Sequence, residues 1–487
     1  MRRHDLVVIG AGSGNAVIDD AFAGLDVAIV EEKWFGGTCL NAGCIPSKMF
    51  AYAAHVARTV GEAGTYDVGA ELLGVRWRAM RDRVFARLDA EREEGRRGRR
   101  EDGSVTVYEG RARFTGPLEL RIACADGFVD IGARQIVIAA GGRPLVPPPV
   151  LGSSLPYETS DTVMRIEAPP RRLAVLGGGY IAAELAEVFA AAGSSVVIVE
   201  KEDRLLGPQD ETVAERFTEL VRSRYDLRLG REVTAVSGRP GALRLTLDDA
   251  STVEADMLLV AAGRVPNSDR LNLDAAGIAT HDDGRVVVDA YQRTTTEGVF
   301  ALGDICTPVP LKHVANREAQ VVAHNLRHPD DLIAADHELV PAAVFTSPEI
   351  ASIGATEQDC RDRGLDPLVG QARYADIAYG WAMEDTTGFC KVLAERGTGR
   401  LLGAHLMGPQ AATLIQPLVL AMTLGIDALT LAGSPYWIHP ALTELVEKAL
   451  LDLDLGPARP DGGAGPRSRS EVAVEAQVSS SRLTSER

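Results

Sequence analysis

The sequence predicts an α/β fold with two Rossmann-like dinucleotide-binding domains. Two segments, beginning near residues 6 and 173, each combine an apolar strand, a glycine-rich turn, a helix, a second strand and an acidic residue. Two cysteines five residues apart follow the first of these segments. At 487 residues the chain has room for about three or four domains.

The first segment has the pattern of a βαβ unit. Residues 6–9 are a short apolar run of the buried parallel-strand type, followed by a glycine-rich turn at residues 10–15 and a predicted helix to about Gly24. The second strand, residues 27–30, ends at Glu31. The glycines permit close approach of a pyrophosphate to the helix start, and Glu31 can accept hydrogen bonds from a ribose diol. Asn15 stands where a third glycine is common, yet the whole pattern predicts a dinucleotide site.

The pattern then repeats, which predicts a second dinucleotide site. Residues 173–176 lead into a glycine-rich turn, a helix to Gly193 and a strand at 196–199 that ends at Glu200. Apolar strands that end in glycine, at residues 136–141 and 258–263, close the two segments. The proline-rich residues 144–149 between them are predicted to form a linker, and residues 298–304 a strand that leads into an aspartate.

The cysteines Cys39 and Cys44 are the strongest indication of chemistry. In a regular helix a five-residue offset separates two Cα atoms by more than about 7 Å, too far for a relaxed disulfide. A bond between them therefore requires a distorted turn at a helix start, and strained disulfides are the easily reduced ones. A helix start also favours the reactive thiolate. Two unrelated thiols are the alternative, but the dinucleotide pattern upstream favours a redox pair.

The composition of the chain indicates which cellular compartment and which classes of partner to expect. The net charge of −17 argues against nucleic acid and anionic membranes as partners. We expect a cytoplasmic protein, because the start does not resemble a signal peptide and no apolar run approaches the length of a membrane span. In that reducing compartment a cysteine pair is more often catalytic than structural. Residues 456–487 are rich in Gly, Pro, Ser and Arg and are predicted to be disordered, and no metal site is expected.

Together these motifs resemble the pyridine nucleotide–disulfide oxidoreductases of the glutathione reductase and dihydrolipoamide dehydrogenase type. The resemblance covers roughly residues 5–455. It implies that a C-terminal α+β dimerisation domain follows the two dinucleotide-binding domains. The segments expected are an FAD-binding domain (1–147), an NAD(P)H-binding domain (148–267), a central domain that completes the FAD site (268–338), a dimerisation domain (339–455) and the tail (456–487).

Local strings narrow the resemblance to the branch of this family that reduces mycothione, the disulfide of an actinobacterial thiol. These strings lie at residues 12–15, 48–54, 159–166, 379–386 and 436–442. The implied activity is FAD-dependent reduction of mycothione by NADPH or NADH. A dihydrolipoamide dehydrogenase, which oxidises a dithiol with NAD, is the alternative. Glu200 favours that alternative, whereas the strings at 379–386 and 436–442 favour mycothione.

The resemblance also implies roles for individual residues. Cys39 would attack the substrate, Cys44 would form a thiolate against the flavin, and Lys48 would pair with Glu184. Histidine suits acid–base chemistry near neutral pH, and the string at residues 439–444 places His439 as the acid–base, oriented by Glu444. In the family this pair serves the opposite subunit, so the resemblance implies a homodimer with shared sites.

The remaining predicted site residues would contact the two cofactors. They are Gly10, Gly12, Gly14, Asn15, Glu31, Thr38, Lys48, Ala112, Gly141, Asp304 and Lys312 for FAD, and Gly177, Gly179, Tyr180, Ile181, Glu184, Glu200, Lys201, Arg204 and Gly263 around the nicotinamide nucleotide. Glu200 would repel the 2′-phosphate of NADPH by up to about 4 kcal/mol at close range. Lys201 and Arg204 follow it and could offset that repulsion, so we expect a relaxed nucleotide preference.

Overall fold

The computed structural model describes residues 1–455, which form two compact units. The first is Met1–Ser347; the second is Pro348–Arg487, described as far as residue 455. The predicted disordered tail lies outside the described residues. Parallel sheets in the first unit and an antiparallel sheet with helices in the second confirm the predicted fold class. The finer division into four domains stays a prediction.

The first unit contains both strands and helices. Its strands are β1 (Arg2–Ile9), β2 (Val27–Glu31), β3 (Val105–Gly116), β4 (Glu119–Cys124), β5 (Gly127–Ile138), β6 (Gly142–Pro144), β7 (Glu158–Thr159), β8 (Arg172–Leu176), β9 (Ser195–Glu200), β10 (Asp226–Leu229), β11 (Val233–Arg239), β12 (Ala242–Leu247), β13 (Thr252–Ala255), β14 (Met257–Val260), β15 (Arg264–Pro266), β16 (Val299–Ala301) and β17 (Ala342–Val344). Its α-helices are α1 (Gly37–Asn41), α2 (Cys44–Gly61), α3 (Trp77–Glu101), α4 (Pro148–Ser153), α5 (Tyr180–Ala191), α6 (Glu211–Val221) and α7 (Lys312–Arg327).

The first sheet is parallel through β3-β2-β1-β5-β16, and β4 joins β3 to β5 by antiparallel pairing. Both of its faces are covered. Val7 and Ile9 of β1 belong to one hydrophobic core, whereas Leu6 and Val8 belong to another. Because successive side chains of a strand point to opposite faces, a strand buried on both faces must be apolar at every position. The continuous apolar run that predicted β1 has this cause.

The second sheet repeats the arrangement with the parallel order β10-β9-β8-β14-β7. A smaller antiparallel sheet, β11-β12-β13, packs its apolar face on the same core. In each sheet, the strand before the glycine motif and the strand after it are parallel and end at the same edge of that sheet. That edge is where ligands bind in open α/β sheets.

The helix predicted from the first glycine motif to about Gly24 is not continuous. The chain forms two short 3₁₀ helices, Ser13–Val17 and Asp20–Phe22, separated by Ile18 in an extended conformation. Two side chains explain the interruption. Arg99 of α3 donates to the carbonyls of both Asn15 and Ile18, and the Asp19 side chain accepts from the Ala21 amide. These contacts replace the i to i−4 bonds that would continue an α-helix.

The proline-rich segment at 144–149 is also more regular than the predicted linker. Its first residue, Pro144, ends β6, which pairs with β15, and α4 begins at Pro148. Proline lacks an amide hydrogen but has the dihedral φ that a helix needs, so it is tolerated in the first helical turn. The sequence pattern indicated a break in the chain correctly but missed the short elements on either side of it.

The second unit is an antiparallel sheet with helices. Its strands are β18 (Ile350–Gly354), β19 (Leu368–Arg373), β20 (Phe389–Ala394) and β21 (Leu401–Met407), in the order β18-β21-β20-β19. Its helices are α8 (Glu357–Asp362), α9 (Ala378–Ala382), α10 (Ala411–Leu414), α11 (Gln416–Leu424), α12 (Ala428–Gly433) and α13 (Glu444–Leu451). The apolar residues of α13, including Leu445 and Leu450, are buried against β19 and β20.

Candidate active site

A cavity of about 340 Å³ opens at the carboxyl edge of the first sheet. Residues from distant parts of the first unit line it, because parallel strands bring their ends to a common edge. Among the predicted site residues, those that line it are Gly10, Gly12, Glu31, Thr38, Cys39, Cys44, Lys48, Ala112, Gly141, Tyr180, Ile181, Glu184, Asp304 and Lys312. The predicted cysteine pair and most of the predicted flavin contacts therefore share one cavity.

The acidic residues at the two strand ends have matching environments. Glu31 accepts hydrogen bonds from the amides of Ala11 (2.7 Å) and Lys33 (2.7 Å). Glu200 accepts from the amides of Gly178 and Glu202. In each case one amide lies immediately after the first glycine of the motif and the other lies two residues after the acid. These bonds orient each carboxylate beside its glycine turn, where a ribose diol would lie.

Backbone approaches at the glycines leave no room for side chains. A Cβ on Gly10 would lie 2.3 Å from the Ala139 carbonyl oxygen, and a Cβ on Gly177 would lie 2.4 Å from that of Ala261. Both glycines also have a positive φ, which favours glycine. At the cavity, a Cβ on Gly37 would lie 2.7 Å from the Gly12 Cα. Because these positions must be glycine, the turn presents bare backbone to the cavity, which fits a bulky dinucleotide such as FAD.

Gly14 and Asn15 do not line the cavity. A Cβ on Gly14 would meet the side chains of Ala139 and Val8 at 2.6 and 2.9 Å, so this glycine serves the packing beneath the turn. Asn15 accepts a hydrogen bond from Arg99 at 2.8 Å through its side-chain oxygen. The structure thus places both residues behind the turn rather than on its ligand side.

The cysteine pair lies where a helix is interrupted. Helix α1 ends at Asn41 and α2 begins at Cys44, with Ala42 and Gly43 between them. The Asn41 side chain donates to the carbonyls of Phe35 (2.8 Å) and Gly37 (2.9 Å), which fixes the first helix against the preceding loop. Because of this interruption the Cys39 and Cys44 side chains, both free thiols here, lie within hydrogen-bonding distance. This is the distorted turn that the spacing required.

The pKa values of the two thiols are shifted in opposite directions. The hydrogen bond from Cys39 lowers the pKa of Cys44 below that of an ordinary thiol, against the effect of burial, and the charge of Lys48 lowers it further. The same hydrogen bond and burial raise the pKa of Cys39. Cys44 is therefore the thiol that ionises first, whereas Cys39 needs a base before it can act as a nucleophile.

Lys48 and Glu184 form an ion pair at the cavity wall. The Lys48 Nζ lies 2.9 and 2.8 Å from the two carboxylate oxygens, and the Glu184 side chain is 4% exposed. The Phe345 amide donates to the same carboxylate at 3.0 Å. The pair joins α2, which carries Cys44, to α5, which carries Tyr180. The structure brings these two residues together as the resemblance implied.

Asp304 and Lys312 lie on a second wall of the cavity. Lys312, the first residue of α7, donates to the Ser13 hydroxyl at 2.8 Å, beside the first glycine motif. Asp304 follows β16 in a 3₁₀ turn, Gly303–Ile305. The Arg264 guanidinium lies 3.8 Å from its carboxylate.

Arg264 and Asn267 are among the cavity residues that the sequence analysis missed. Arg264 donates to the Gly142 carbonyl at 2.6 Å, and Asn267 donates to the Ala140 carbonyl at 2.8 Å. Both lie in the string Gly-Arg-Val-Pro-Asn that begins at the strand-ending Gly263. That string, with its polar residues next to a predicted strand end, was the signal that could have identified them.

Several carboxylates lie close to the second glycine motif. Gly177 and Gly263 follow β8 and β14, and Gly179 precedes α5. Arg204 is ion-paired with Glu211 at 2.8 Å, and the exposed Lys201 lies 3.7 Å from Glu202. The two basic side chains that could offset Glu200 are therefore already paired with carboxylates.

In the second unit, His439 and Glu444 form a hydrogen-bonded pair. The His439 Nδ1 lies 2.8 Å from a Glu444 carboxylate oxygen, and the Ala441 amide donates to the other oxygen at 3.2 Å. The histidine hydrogen bond lowers the pKa of Glu444. The His439 side chain is 71% exposed, so its other ring nitrogen is accessible. This arrangement can exchange a proton with an incoming group.

The comparisons with known proteins agree along almost the whole chain. Residues 4–319 match the family described as pyridine nucleotide-disulphide oxidoreductase, and residues 340–450 match its dimerisation domain. A mycothione reductase of Mycobacterium tuberculosis is 49% identical over 93% of this chain and 100% of its own length. A glutathione reductase of Burkholderia cepacia is 34% identical over 90% of this chain and 97% of its own.

Two further relatives bear on the alternatives. A dihydrolipoyl dehydrogenase of Halobacterium salinarum is 34% identical over 91% of this chain and 95% of its own. Among solved structures, the HOCl-induced flavoprotein disulfide reductase RclA of Escherichia coli, as a Cu(II) complex, superposes with a TM-score of 0.82 at 26% identity, covering 93% of this chain and 99% of that one. Within residues 1–455, every helix is too short or too polar to cross a membrane.

Proposed function

The chain belongs to the pyridine nucleotide-disulphide oxidoreductase family, and on that premise we propose that it reduces mycothione to mycothiol with FAD and a nicotinamide nucleotide. The observation that carries the proposal is the Cys39–Cys44 pair at the wall of a cavity that fits FAD. The 49% identity to a mycothione reductase supports the choice of substrate.

Several side chains at the cavity have a task in this proposal. Bound FAD would supply the electron pair that it takes from the nicotinamide and passes to the Cys39–Cys44 disulfide. Glu31, Asp304 and Lys312 would hold the FAD. The Lys48–Glu184 ion pair keeps a positive charge beside Cys44, which favours its thiolate.

The substrate step is a thiol–disulfide exchange. His439 takes the proton of the Cys39 thiol, and the Cys39 sulfur attacks one sulfur of mycothione. The other sulfur leaves as a thiolate, which takes that proton from His439. Cys44 then attacks the Cys39 sulfur of the mixed disulfide, which re-forms the Cys39–Cys44 bond and releases the second thiol. One disulfide, two electrons and two protons give two thiols. Glu444 would orient the imidazole and stabilise its protonated form.

We propose that the active unit is a homodimer in which His439 and Glu444 of one copy serve the cysteines of the other. The match of residues 340–450 to a dimerisation domain supports the dimer. The raised pKa of Cys39 supports the need for such a base, because this thiol is protonated at neutral pH without one.

The test is substrate turnover. Purified protein is offered mycothione, oxidised glutathione and lipoamide in parallel, first with NADPH and then with NADH. Nucleotide consumption with mycothione alone supports the proposal. Preferential turnover of lipoamide with NADH would favour dihydrolipoamide dehydrogenase instead, the function that Glu200 and its paired neighbours suit best.

A further inference from the structure

Glu318 is a buried carboxylate that stands behind the cavity rather than in it. It lies on α7, six residues after Lys312, and its side chain is 1% exposed. One carboxylate oxygen accepts from the Gly303 amide at 2.6 Å, and the other lies 2.8 Å from the His337 Nε2. The Thr307 hydroxyl is a further hydrogen-bond partner. None of these contacts is needed by the chemistry proposed above.

The Gly303 amide belongs to the turn that presents Asp304 to the cavity. At the other side of the same residue, the Gly303 carbonyl accepts from the amides of Cys306 (2.9 Å) and Thr307 (3.0 Å). Gly303 also has a positive φ of 75°, a conformation that needs local support in most sequences and that glycine tolerates. Glu318 and these amides together fix both the amide and the carbonyl of Gly303, the residue that precedes Asp304.

His337 is the partner that makes a buried carboxylate at this place tolerable. Burial raises the pKa of Glu318, and the hydrogen bonds from the Gly303 amide and from His337 oppose that effect. An ionised carboxylate is the stronger acceptor for the Gly303 amide. The His337 side chain is 27% exposed. Removing it would leave the buried Glu318 carboxylate with one hydrogen-bond donor fewer and no solvent to replace it.

We infer that His337 and Glu318 are positioning residues that hold the Asp304 turn in the conformation that binds FAD. The inference rests on the proposed function, because it takes FAD as the ligand that Asp304 contacts. The pair acts through the backbone of Gly303 and touches neither cofactor nor substrate. Its effect should therefore appear in FAD affinity rather than in the chemistry of the cysteines.

The experiment measures FAD binding by the full-length protein. FAD is stripped from wild type and variants, and its dissociation constant is determined from the quenching of flavin fluorescence on titration. His337→Ala should weaken FAD binding by about tenfold, the size of one lost charge-assisted hydrogen bond. His337→Gln can still donate an amide hydrogen to Glu318 and should stay within about threefold of wild type.

His324→Ala is the matched control, because His324 lies on the same helix and is hydrogen-bonded to a backbone carbonyl, that of Asp331, outside the cavity lining. It should leave FAD affinity unchanged. Glu318→Gln keeps an acceptor for the Gly303 amide and should bind FAD better than Glu318→Ala. Unchanged affinity in His337→Ala, or equal losses in His337→Ala and His337→Gln, overturns the inference. Wild-type protein that binds no FAD would instead refute the proposed function.

Discussion

Lys48 and Glu184 are 136 residues apart in the chain, yet the Lys48 Nζ lies within 2.9 Å of both Glu184 carboxylate oxygens. The pair connects the helix that carries Cys44 to the helix that begins at Tyr180. It therefore links the thiol chemistry to the second glycine motif. Its positive member also lies close enough to influence the ionisation of Cys44.

Replacing Lys48 with glutamine should raise the pKa of Cys44, because the charge that favours its thiolate is removed. The alkylation rate of Cys44 in the reduced protein, followed against pH by peptide mass spectrometry, should then rise at a higher pH than in wild type. Lys201→Gln removes an exposed lysine near the second motif and should leave the profile unchanged. An unshifted profile in the Lys48 variant would show that Lys48 does not govern this thiol.

Cys39→Ser should separate the two halves of the reaction. The variant should bind FAD and allow its reduction by the nicotinamide nucleotide, because the cavity is intact, but it should lose reduction of a disulfide substrate. Stopped-flow absorbance measures the first step and nucleotide consumption the second. Cys124→Ser, at a thiol outside the cavity lining, is the control and should retain both activities. Substrate turnover by Cys39→Ser would remove Cys39 from its assigned role.

His439→Ala should slow disulfide reduction by roughly a hundredfold or more, since a positioned acid–base group is lost. Flavin content and the rate of flavin reduction should change little. The pKa of Glu444 should return upward toward its ordinary value, because its hydrogen bond from His439 is gone. His281→Ala, at an exposed histidine of the first unit, is the comparison. Near-normal turnover by the His439 variant would exclude this residue from the mechanism.

Glu200→Gln should shift the nucleotide preference toward NADPH. Removing the carboxylate charge relieves repulsion of the 2′-phosphate and should lower the KM for NADPH by about tenfold, with a smaller change for NADH. The ratio of kcat/KM for the two nucleotides measures the effect. Glu202→Gln, two residues away and exposed, tests whether net charge alone is responsible. An equal shift in both variants would argue against a specific role for Glu200.

The strands and both glycine motifs could be predicted from the sequence because each has a local cause. A parallel strand buried on two faces must be a continuous apolar run, and a turn in which a Cβ would touch a carbonyl must be glycine, as at Gly10 and Gly177. The broken helix after the first motif could not be predicted in this way. Its cause is Arg99, which lies 84 residues from Asn15.

In the candidate site, too, the features with a local cause could be predicted from the sequence and those that depend on distant residues could not. The cysteine pair and its required turn followed from the spacing of the cysteines together with the dinucleotide pattern upstream of them. The pairing of Lys48 with Glu184 came only from family resemblance, because no local pattern encodes a contact between distant helices. The contributions of Glu318 and His337 became visible only in the folded chain, where a helix, a turn and a later loop meet.

The interruption at Ala42–Gly43 has a mechanical consequence. Cys39 and Cys44 lie on two short pieces of helix that are each fixed, α1 at Asn41 by its two side-chain hydrogen bonds and α2 at Phe50 by complete burial. Opening and closing the sulfur–sulfur link then requires side-chain rotation, a picosecond-to-nanosecond motion, rather than displacement of a domain. Increasing the viscosity of the solvent should therefore leave this step of the cycle unaffected.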